Sequence, residues 1–470
     1  VIFEQVKSLA AEVEGEVGKD ADLLAEVTNL AEAPVALRGD FDSAYLELPS
    51  VVLISVMKKH QRYFPVQKKP LEAEKRKQLL PYFIALRNGD GVGLERVIAG
   101  NEHVIRARFA DAAFFIQEDL KKPLDAYLPN LHTMTFQVEL GSMFDKAVRI
   151  QKLAKDLSIN LQLNAEESKV AERAAELCKA DLATNMVVEM TALQGFMGSY
   201  YARKSGEPQG VAKAIFEHYL PRSANDAIPS TKPGLVVGIA DRLDTLMGLF
   251  SVGLALTGAK DPYAQRRAAL GLVQTLLAWE IDFDLTSGLN LAAQYLPQEI
   301  DATRKEACLS FIIERMRHLF LELGFRYDVI DAVLAAQGEN PYRASKAIRE
   351  LSEWVQRSDW HNILPAYSRC VRITRHLEET FEVSPNNLVE KAENDLFIAL
   401  RNAEATSRKP GSVDDFLNTF MPLIAVINIF FDDVLVMTDE TDLRENRLGM
   451  LQRISRLAEG VVEMSKLEGF

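Results

Sequence analysis

The sequence predicts a multidomain protein that is mainly α-helical and begins with an α+β module. With 470 residues, the chain is long enough for several hydrophobic cores of roughly 100–200 residues each. Short β-type runs at residues 34–39, 62–67 and 81–88 alternate with helical stretches in the first part of the chain. From Leu94 onward, apolar residues recur mostly at three- and four-residue steps, as a buried helical stripe requires.

Clusters of turn-forming residues divide the helical part into blocks. They lie at residues 204–208, 229–234, 338–341 and 407–411. We expect four regions: an incomplete α+β module at 1–135, a helical domain at 136–275, a helical linker or body at 276–375, and a C-terminal helical domain at 376–470. The chain shows neither a fixed-period repeat nor a low-complexity tract, which argues against a solenoid or a tail-type protein.

Composition and charge limit the class of protein. The chain is 48% hydrophobic and 26% charged, as is usual for a soluble globular protein, and its formal net charge is −13. Because phosphate binding depends largely on Lys and Arg, this net charge argues against a protein that coats nucleic acid indiscriminately, although it allows a local basic face. The strongest apolar stretch, residues 420–431, is shorter than the roughly 20 residues that cross a bilayer, so we expect a buried helix and no membrane partner.

The start of the chain and the cysteines bear on processing and compartment. The chain starts at Val1 and shows neither a secretory signal nor a transit pattern, so we expect that residues before Val1 have been lost. Cys178, Cys308 and Cys370 lie far apart and match neither a disulfide framework nor a zinc-ligand spacing. A reducing compartment, either the bacterial cytoplasm or the plastid stroma, fits this cysteine usage best.

Residues 57–66 combine cations with aromatic side chains. The candidate RNA-binding residues in this string are Lys58, Lys59, His60 and Arg62. Tyr63 and Phe64 stand beside them, and the mixture suits phosphate contact together with stacking on an exposed base. The alternative is a solvated, cationic helix end that leads into an apolar strand.

A second string places arginines on a predicted helix, with Arg106 and Arg108 as candidate RNA contacts. Helical spacing puts Arg108 on the same face as Asp111, whereas Arg106 is poorly placed for that face. We expect the neighbours Phe114 and Phe115 to anchor the helix inward, most other residues of the string to be structural, and the arginines to be exposed.

A third pair of cations follows a predicted helix entry. Asp261 is placed to cap the helix and Pro262 to occupy its first turn, which would project Arg266 and Arg267 one turn later as candidate phosphate ligands. The alternative is an ordinary solvated helix, on which adjacent arginines are common.

Several of these strings resemble the glycyl-tRNA synthetase beta subunit of bacterial type. The resemblance rests on residues 45–49, 57–66, 100–115, 136–146, 193–202, 257–271 and 430–451. Because matching strings run from near Asn29 to the final helix, the resemblance covers almost the whole chain. Residues 33–35 and 467–470 are similar to forms in which alpha and beta regions are fused in one polypeptide.

The last of these strings resembles the helical, DALR-like anticodon-binding domain shared with arginyl-type synthetases. Proteins read single-stranded RNA through stacking and base-edge hydrogen bonds, which suits Arg444, Asn446 and Arg447 on an apolar helical support. The alternative is that the two arginines pair with acidic neighbours in sequence, namely Asp439, Glu440 or Asp442.

Residues 178–182 and 238–246 resemble the skeleton of an HD-type phosphohydrolase domain, which this family contains. Asp181 and Asp241 are retained, but Ala180 stands where the paired histidine belongs, so the resemblance implies a degenerate site without metal. A metal-dependent HD-type phosphohydrolase and a non-enzymatic RNA-binding or assembly module stay open as alternative functions.

The resemblance implies a division of labour. Glycine activation, with ATP and Mg, would occur in an alpha subunit or a fused alpha region, while this chain would bind glycine tRNA, supply no catalytic residue, hold no cofactor and be inactive alone. An oligomeric assembly of alpha and beta is expected. The chain contains no phosphate-binding P-loop, dinucleotide fingerprint or nucleophile elbow, and no recognisable class II arginine motif.

Overall fold

The computed structural model describes residues 1–69, 78–256, 258 and 260–470. Its strands are β1 Gly15–Glu16, β2 Pro34–Asp40, β3 Phe64–Lys68, β4 Leu79–Asn88, β5 Thr135–Gln137 and β6 Gly141–Ser142. Its first helices are α1 Ile2–Ala11, α2 Ala21–Asn29, α3 Ser50–Gln61, α4 Leu94–Asp119, α5 Met143–Asn160, α6 Ala165–Leu177, α7 Asn185–Glu189, α8 Phe196–Lys204, α9 Gln209–Glu217 and α10 Lys232–Ser251.

The remaining helices complete a mainly helical protein. They are α11 Gln265–Ala278, α12 Leu285–Ala293, α13 Ala302–Glu322, α14 Tyr327–Gln337, α15 Pro341–Trp354, α16 Trp360–Thr374, α17 Lys391–Ala405, α18 Val413–Phe420, α19 Leu423–Asp433 and α20 Thr441–Arg456. Short 3-10 helices lie at Ser43–Glu47, Leu124–Thr133, Ala180–Ala183, Thr191–Leu193, Pro385–Asn387 and Met464–Lys466.

The chain folds as two compact units. The first unit comprises Val1–Thr135, Ser142–Ala147 and Glu176–Phe216, and the second comprises Phe136–Gly141, Val148–Ala175 and Glu217–Phe470. The mainly helical class with an N-terminal sheet is confirmed, whereas the four-region division stays a prediction. The helical pattern expected from Leu94 onward is confirmed, and the described residues add to it the short β5–β6 pair.

A four-stranded antiparallel sheet organises the first unit in the order β1-β3-β4-β2. The three predicted β runs are confirmed as β2, β3 and β4, and β2 pairs with β4 from Pro34 opposite Asn88 to Asp40 opposite Tyr82. Such long pairing fixes which residues face each side of the sheet, because side chains alternate along a strand.

Helices cover both faces of this sheet. On one face, Phe64 and Ile84 share a core with apolar residues of α1 and α2. On the other face, Phe83 stacks on Tyr63 with ring centroids 4.6 Å apart, and the Tyr63 hydroxyl donates to Asn101 of α4 over 2.6 Å. These contacts fix the position of α4 on the sheet and thereby the direction in which the polar face of that helix points.

In the second unit, α10 is buried along almost its whole length and packs on α11, α12 and α13. The Thr231 hydroxyl caps this helix by accepting a hydrogen bond from the Gly234 amide over 3.2 Å. A buried ion pair joins Arg149 of α5 to Asp244 of α10, with Nε and Oδ1 2.6 Å apart. Together these contacts fix both the start and the middle of α10.

The apolar stretch at residues 420–431 forms the end of α18 and most of α19. Leu423, Ile427 and Phe430 of α19 are buried, as expected, while Ile429 is 49% exposed. Within the described ranges, no single helix has the length and apolar composition needed to cross a membrane, although α18 and α19 meet that test as a pair bent by 48°.

Candidate nucleic-acid interface

The cationic string at residues 57–66 forms the last turn of α3 and the start of β3. Two of its cations are paired with acids near α2: Lys58 Nζ lies 2.7 Å from Asp20 Oδ2, and Arg62 Nε lies 2.5 Å from Glu26 Oε1. Arg62 ends α3 in the left-handed conformation, with φ of 55°. The charges of Lys58 and Arg62 are therefore partly neutralised within the chain, whereas Lys59 is exposed.

His60 and Arg108 lie at one cleft of the first unit, which we call the α3–α4–α7 cleft. Its cavity volume is about 270 Å³. The lining residues are Val56 and His60 from α3, Arg108, Asp111, Ala112 and Phe115 from α4, and Met186, Glu189 and Met190 from α7 and the residue after it. The structure thus brings together two predicted RNA-binding residues that are 48 positions apart in the sequence.

The periodicity of α4 explains which of its residues reach the cleft. Arg108, Asp111 and Phe115 are separated by three and four positions and so share one helical face, as predicted for Arg108 and Asp111. Arg106 is exposed but lies outside the cleft lining. The inward anchoring predicted for Phe114 is wrong, because this side chain is 57% exposed.

The end of α4 also positions α7. Asp119, the last residue of α4, accepts hydrogen bonds from the backbone amides of Asn185 and Met186 over 2.8 and 3.0 Å. Those amides lie at the start of α7, where amide groups lack partners within the helix and favour a carboxylate. Asp119 therefore fixes the helix that carries Met186 and Glu189 into the cleft.

Four ionisable side chains that line the cleft have no partner among the described residues. Among the residues that the structure describes, no hydrogen bond or ion pair is made by the side chains of His60, Arg108, Asp111 and Glu189. Arg108 and Asp111 are one helical turn apart, yet they form no ion pair with each other. The cleft therefore offers hydrogen-bond donors and acceptors above an apolar wall of Val56, Phe115 and methionines.

Sequence reasoning missed the α7 contribution to the cleft. Met186, Glu189 and Met190 follow Arg108 by more than 70 positions and belong to no string with an evident binding pattern. The only local signal is the three- and four-residue spacing of Met186, Glu189 and Met190, which indicates a shared helical face without indicating its partner.

In the second unit, the predicted helix entry at Asp261 is confirmed in part. The Asp261 carboxylate accepts hydrogen bonds from the amides of Gln265 and Arg266 over 2.8 and 3.0 Å. Pro262, however, precedes the helix, since α11 begins at Gln265. The Arg266 guanidinium donates to the carbonyl of Gly258, while Arg267 is exposed. Thr257 and Ala259 of this string lie outside the described residues.

The C-terminal candidates hold α20 against neighbouring segments. Arg447 and Glu393 form a buried ion pair with Nε and Oε1 2.5 Å apart. Asn446 is buried and accepts a hydrogen bond from the Ser384 amide over 2.6 Å. Arg444 donates to the carbonyl of Thr438 over 3.1 Å. Arg447 therefore pairs with Glu393 and not with an acid that stands near it in sequence. RNA contact at these positions stays a prediction.

Asp181 and Asp241 belong to different compact units. Asp181 is fully buried, and its Oδ2 accepts hydrogen bonds from the amides of Gly195 and Gly198 over 2.6 and 2.9 Å. Burial raises the pKa of Asp181 to about 6, against the lowering effect of those two amides. A Cβ at Gly198 would lie 2.9 Å from the same Oδ2, so the turn closes tightly around the carboxylate.

The residues around these aspartates do not fit an HD-type metal site. Across the described ranges, no three His, Cys, Asp or Glu side chains are grouped so that they could hold a metal ion. His218 is buried and contacts the Tyr219 ring, with centroids 3.9 Å apart. The phosphohydrolase alternative therefore has no supporting arrangement of ligands in the described part of the chain.

The chain matches a family of known proteins over most of its length. The family model described as glycyl-tRNA synthetase beta subunit matches residues 1–335. A glycine–tRNA ligase beta subunit from Moorella thermoacetica is 42% identical over 99% of this chain and 68% of that relative. Those from Clostridioides difficile and Shouchella clausii are 39% and 40% identical over 99% of this chain, and 67% and 68% of the relatives.

The alignments extend well past the matched family region, because they include the C-terminal helices with the rest of the chain. The chain spans about two thirds of the length of these relatives. These relatives are about 40% identical to this chain in alignments that cover nearly all of its residues. This chain therefore belongs to the glycyl-tRNA synthetase beta subunit family.

Proposed function

We propose that this chain is the tRNA-binding beta portion of a glycine–tRNA ligase. It would position glycine tRNA for ATP-dependent aminoacylation by an alpha subunit or fused alpha region. The observation that carries this proposal is the match to glycine–tRNA ligase beta subunits over 99% of the chain. An alpha–beta assembly in the bacterial cytoplasm or the plastid stroma, with ATP and Mg held by the alpha portion, belongs to the same proposal.

The distribution of charge supports RNA binding at defined points. The formal net charge of −13 disfavours general attraction to phosphates, so binding would depend on local cations. In the first unit, Lys59, Arg106 and Arg108 are exposed, and their side chains make no ion pair within the described residues. Arg267 is similarly exposed in the second unit. These cations can reach phosphates without breaking internal ion pairs.

The catalytic contribution of such a chain is orientation. If one RNA molecule is held at two separated points, its reacting end meets the activated amino acid in an effectively unimolecular step. The anticodon stem and the acceptor arm are the two tRNA regions that we assign to these points. No residue of this chain is assigned to the chemical step.

The finer domain assignments belong to the proposal. The tight turn around Asp181 supports a degenerate HD-type domain, in which a former site has become a structural anchor. The close joining of α20 to α17 through Arg447 and Glu393 supports a compact C-terminal helical domain of the DALR-like kind. In that domain, RNA contact would depend on residues outside the buried pair.

Binding measurements on the full enzyme test the proposal. Filter binding should show tighter binding of glycine tRNA than of other tRNAs. Lys59→Ala and Arg106→Ala should each weaken affinity and reduce the slope of log affinity against log salt by roughly 0.7–1. Lys58→Ala is the matched control, because Lys58 is paired with Asp20 and should have a smaller effect. No preference for glycine tRNA would refute the proposal.

A further inference from the structure

The α3–α4–α7 cleft has the dimensions of a site for one ring system. Its cavity volume of about 270 Å³ lies just below the roughly 300 Å³ at which small-molecule sites usually begin. The apolar wall combines Phe115 with Met186 and Met190. Aromatic side chains stack on unpaired bases, and the polarisable sulfur of methionine contacts ring systems favourably. The wall therefore suits a flat, aromatic ligand.

The polar groups of the cleft determine which flat ligands it can bind. Asp111 and Glu189 are carboxylates, which repel a phosphate but accept hydrogen bonds from N–H groups. An exocyclic amino group of adenine, cytosine or guanine supplies two such N–H donors, whereas uracil has no exocyclic amino group. Because neither carboxylate is engaged by another side chain, both are available to a ligand.

Arg108 and His60 complete the pattern expected for a nucleotide within a strand. Arg108 and His60 lie at the same cleft and can donate to the phosphate that flanks a bound base. A free nucleobase would leave Arg108 and His60 without a phosphate to bind, and a free phosphate would be repelled by the two carboxylates. A base within an RNA strand satisfies both sets of groups.

We propose that the α3–α4–α7 cleft binds one unstacked, amino-bearing nucleobase of the tRNA. Asp111 and Glu189 accept hydrogen bonds from its amino group, Phe115 and the methionines contact its ring, and Arg108 and His60 bind the flanking phosphate. The inference rests on the proposed function, since it names the part of the RNA that this site takes.

Photocrosslinking with glycine tRNA in the full enzyme tests the assignment. Phe115→p-benzoylphenylalanine places a photoreactive ring in the cleft, and Phe114→p-benzoylphenylalanine is the matched control on the next, outward-facing residue. We expect a crosslink from position 115, but not from position 114, to a single unpaired A, C or G. A crosslink to U or to a paired nucleotide, or none while the tRNA binds, would overturn the inference.

Affinity measurements provide an independent readout. Arg108→Ala and Glu189→Ala should each weaken binding of glycine tRNA by roughly 5- to 10-fold. Arg96→Ala and Glu95→Ala are matched controls, because both residues are exposed on α4 outside the cleft, and they should change affinity less than twofold. Equal effects of cleft and control variants would contradict this inference alone, whereas failure of the unaltered enzyme to bind glycine tRNA would contradict the proposed function.

Discussion

The Tyr201 hydroxyl donates a hydrogen bond to the Asp119 carboxylate over 2.7 Å, and both groups are buried in the first unit. Burial, and after it the hydrogen bond to Asp119, raises the pKa of Tyr201 well above its ordinary value of 10. The hydroxyl therefore keeps its proton at physiological pH and serves as a permanent donor. Since Asp119 also holds the start of α7, this pair links α4, α7 and α8 around the cleft.

Removal of the Tyr201 hydroxyl should loosen α7. Tyr201→Phe keeps the ring but leaves Asp119 with one fewer donor, so we expect a loss of about 1–3 kcal/mol in the free energy of unfolding. Hydrogen exchange should show faster opening at the Asn185 and Met186 amides, which Asp119 also binds. Tyr45→Phe is a control at a tyrosine that donates only a weak 3.5 Å hydrogen bond. Unchanged exchange at α7 in Tyr201→Phe would show that the pair does not fix this helix.

Loss of Arg447 should reduce stability rather than RNA affinity alone. Arg447→Ala leaves the carboxylate of Glu393, which is 0% exposed, without its ion-pair partner, and breaking such a buried pair costs about 3–5 kcal/mol. Urea unfolding of the variant measures the effect directly.

A double change separates charge burial from packing at the same place. Arg447→Met combined with Glu393→Gln removes both charges and should recover much of the lost stability, because no buried charge is then unpaired and the Gln oxygen can still accept from the Val389 and Glu390 amides. Arg444→Ala is the control on the same helix. Arg444 is partly exposed, and within the described chain its guanidinium donates only to uncharged acceptors. If Arg447→Ala and Arg444→Ala have the same unfolding midpoint, the ion pair contributes little.

Helical faces and strand positions could be predicted from the sequence, because they depend on local spacing. Helical periodicity placed Arg108 and Asp111 on one face, and counting by threes and fours from Phe109 would also have found the buried residues Ile105 and Ile116. Counting in this way leaves Phe114 outside the buried stripe, so its exposure was available from the same pattern. The three N-terminal β runs were found because turn residues and apolar runs are local signals.

Contacts between distant segments could not be read from spacing. Arg447 pairs with Glu393, 54 residues away, although several acids, Asp439, Glu440 and Asp442 among them, stand closer in sequence. Asp119 binds the start of α7 from 66 residues away, and no local pattern connects them. Tertiary packing selects such partners through burial, because a buried charge needs a partner whereas an exposed acid is solvated by water.

The three cysteines should be unreactive in the folded protein. Cys178, Cys308 and Cys370 are all buried and form no disulfide. Burial raises the pKa of Cys370 to about 12 and raises that of Cys308 further, so the reactive thiolate is scarce at neutral pH. A thiol reagent should label fewer than one site at pH 7.5 in the native chain and three sites in urea. Rapid labelling without urea would indicate that the helices around these thiols open readily.

The Asp181 carboxyl should make stability depend on pH. Its pKa is about 6 in the folded protein and 3.8 as an ordinary group, so folding favours its protonated form. The contribution is fully present below pH 4 and is lost as pH rises through about 6, and the gap between those pKa values corresponds to about 3 kcal/mol. Carboxyls with lowered pKa values, such as Asp226 at about 2, contribute the opposite trend only below this window.

Asp181→Asn tests that dependence because an amide does not ionise in this range. The side-chain oxygen can still accept from Gly195 and Gly198, so the turn keeps its acceptor. The new amide group changes overall stability by an amount that does not vary with pH, so the informative quantity is the difference in urea midpoint between variant and unaltered chain. This difference should shift in favour of the variant from pH 4 to pH 7. If it stays constant over that range, the carboxyl is not protonated preferentially by folding, and its burial must be offset by the amides and by Lys179.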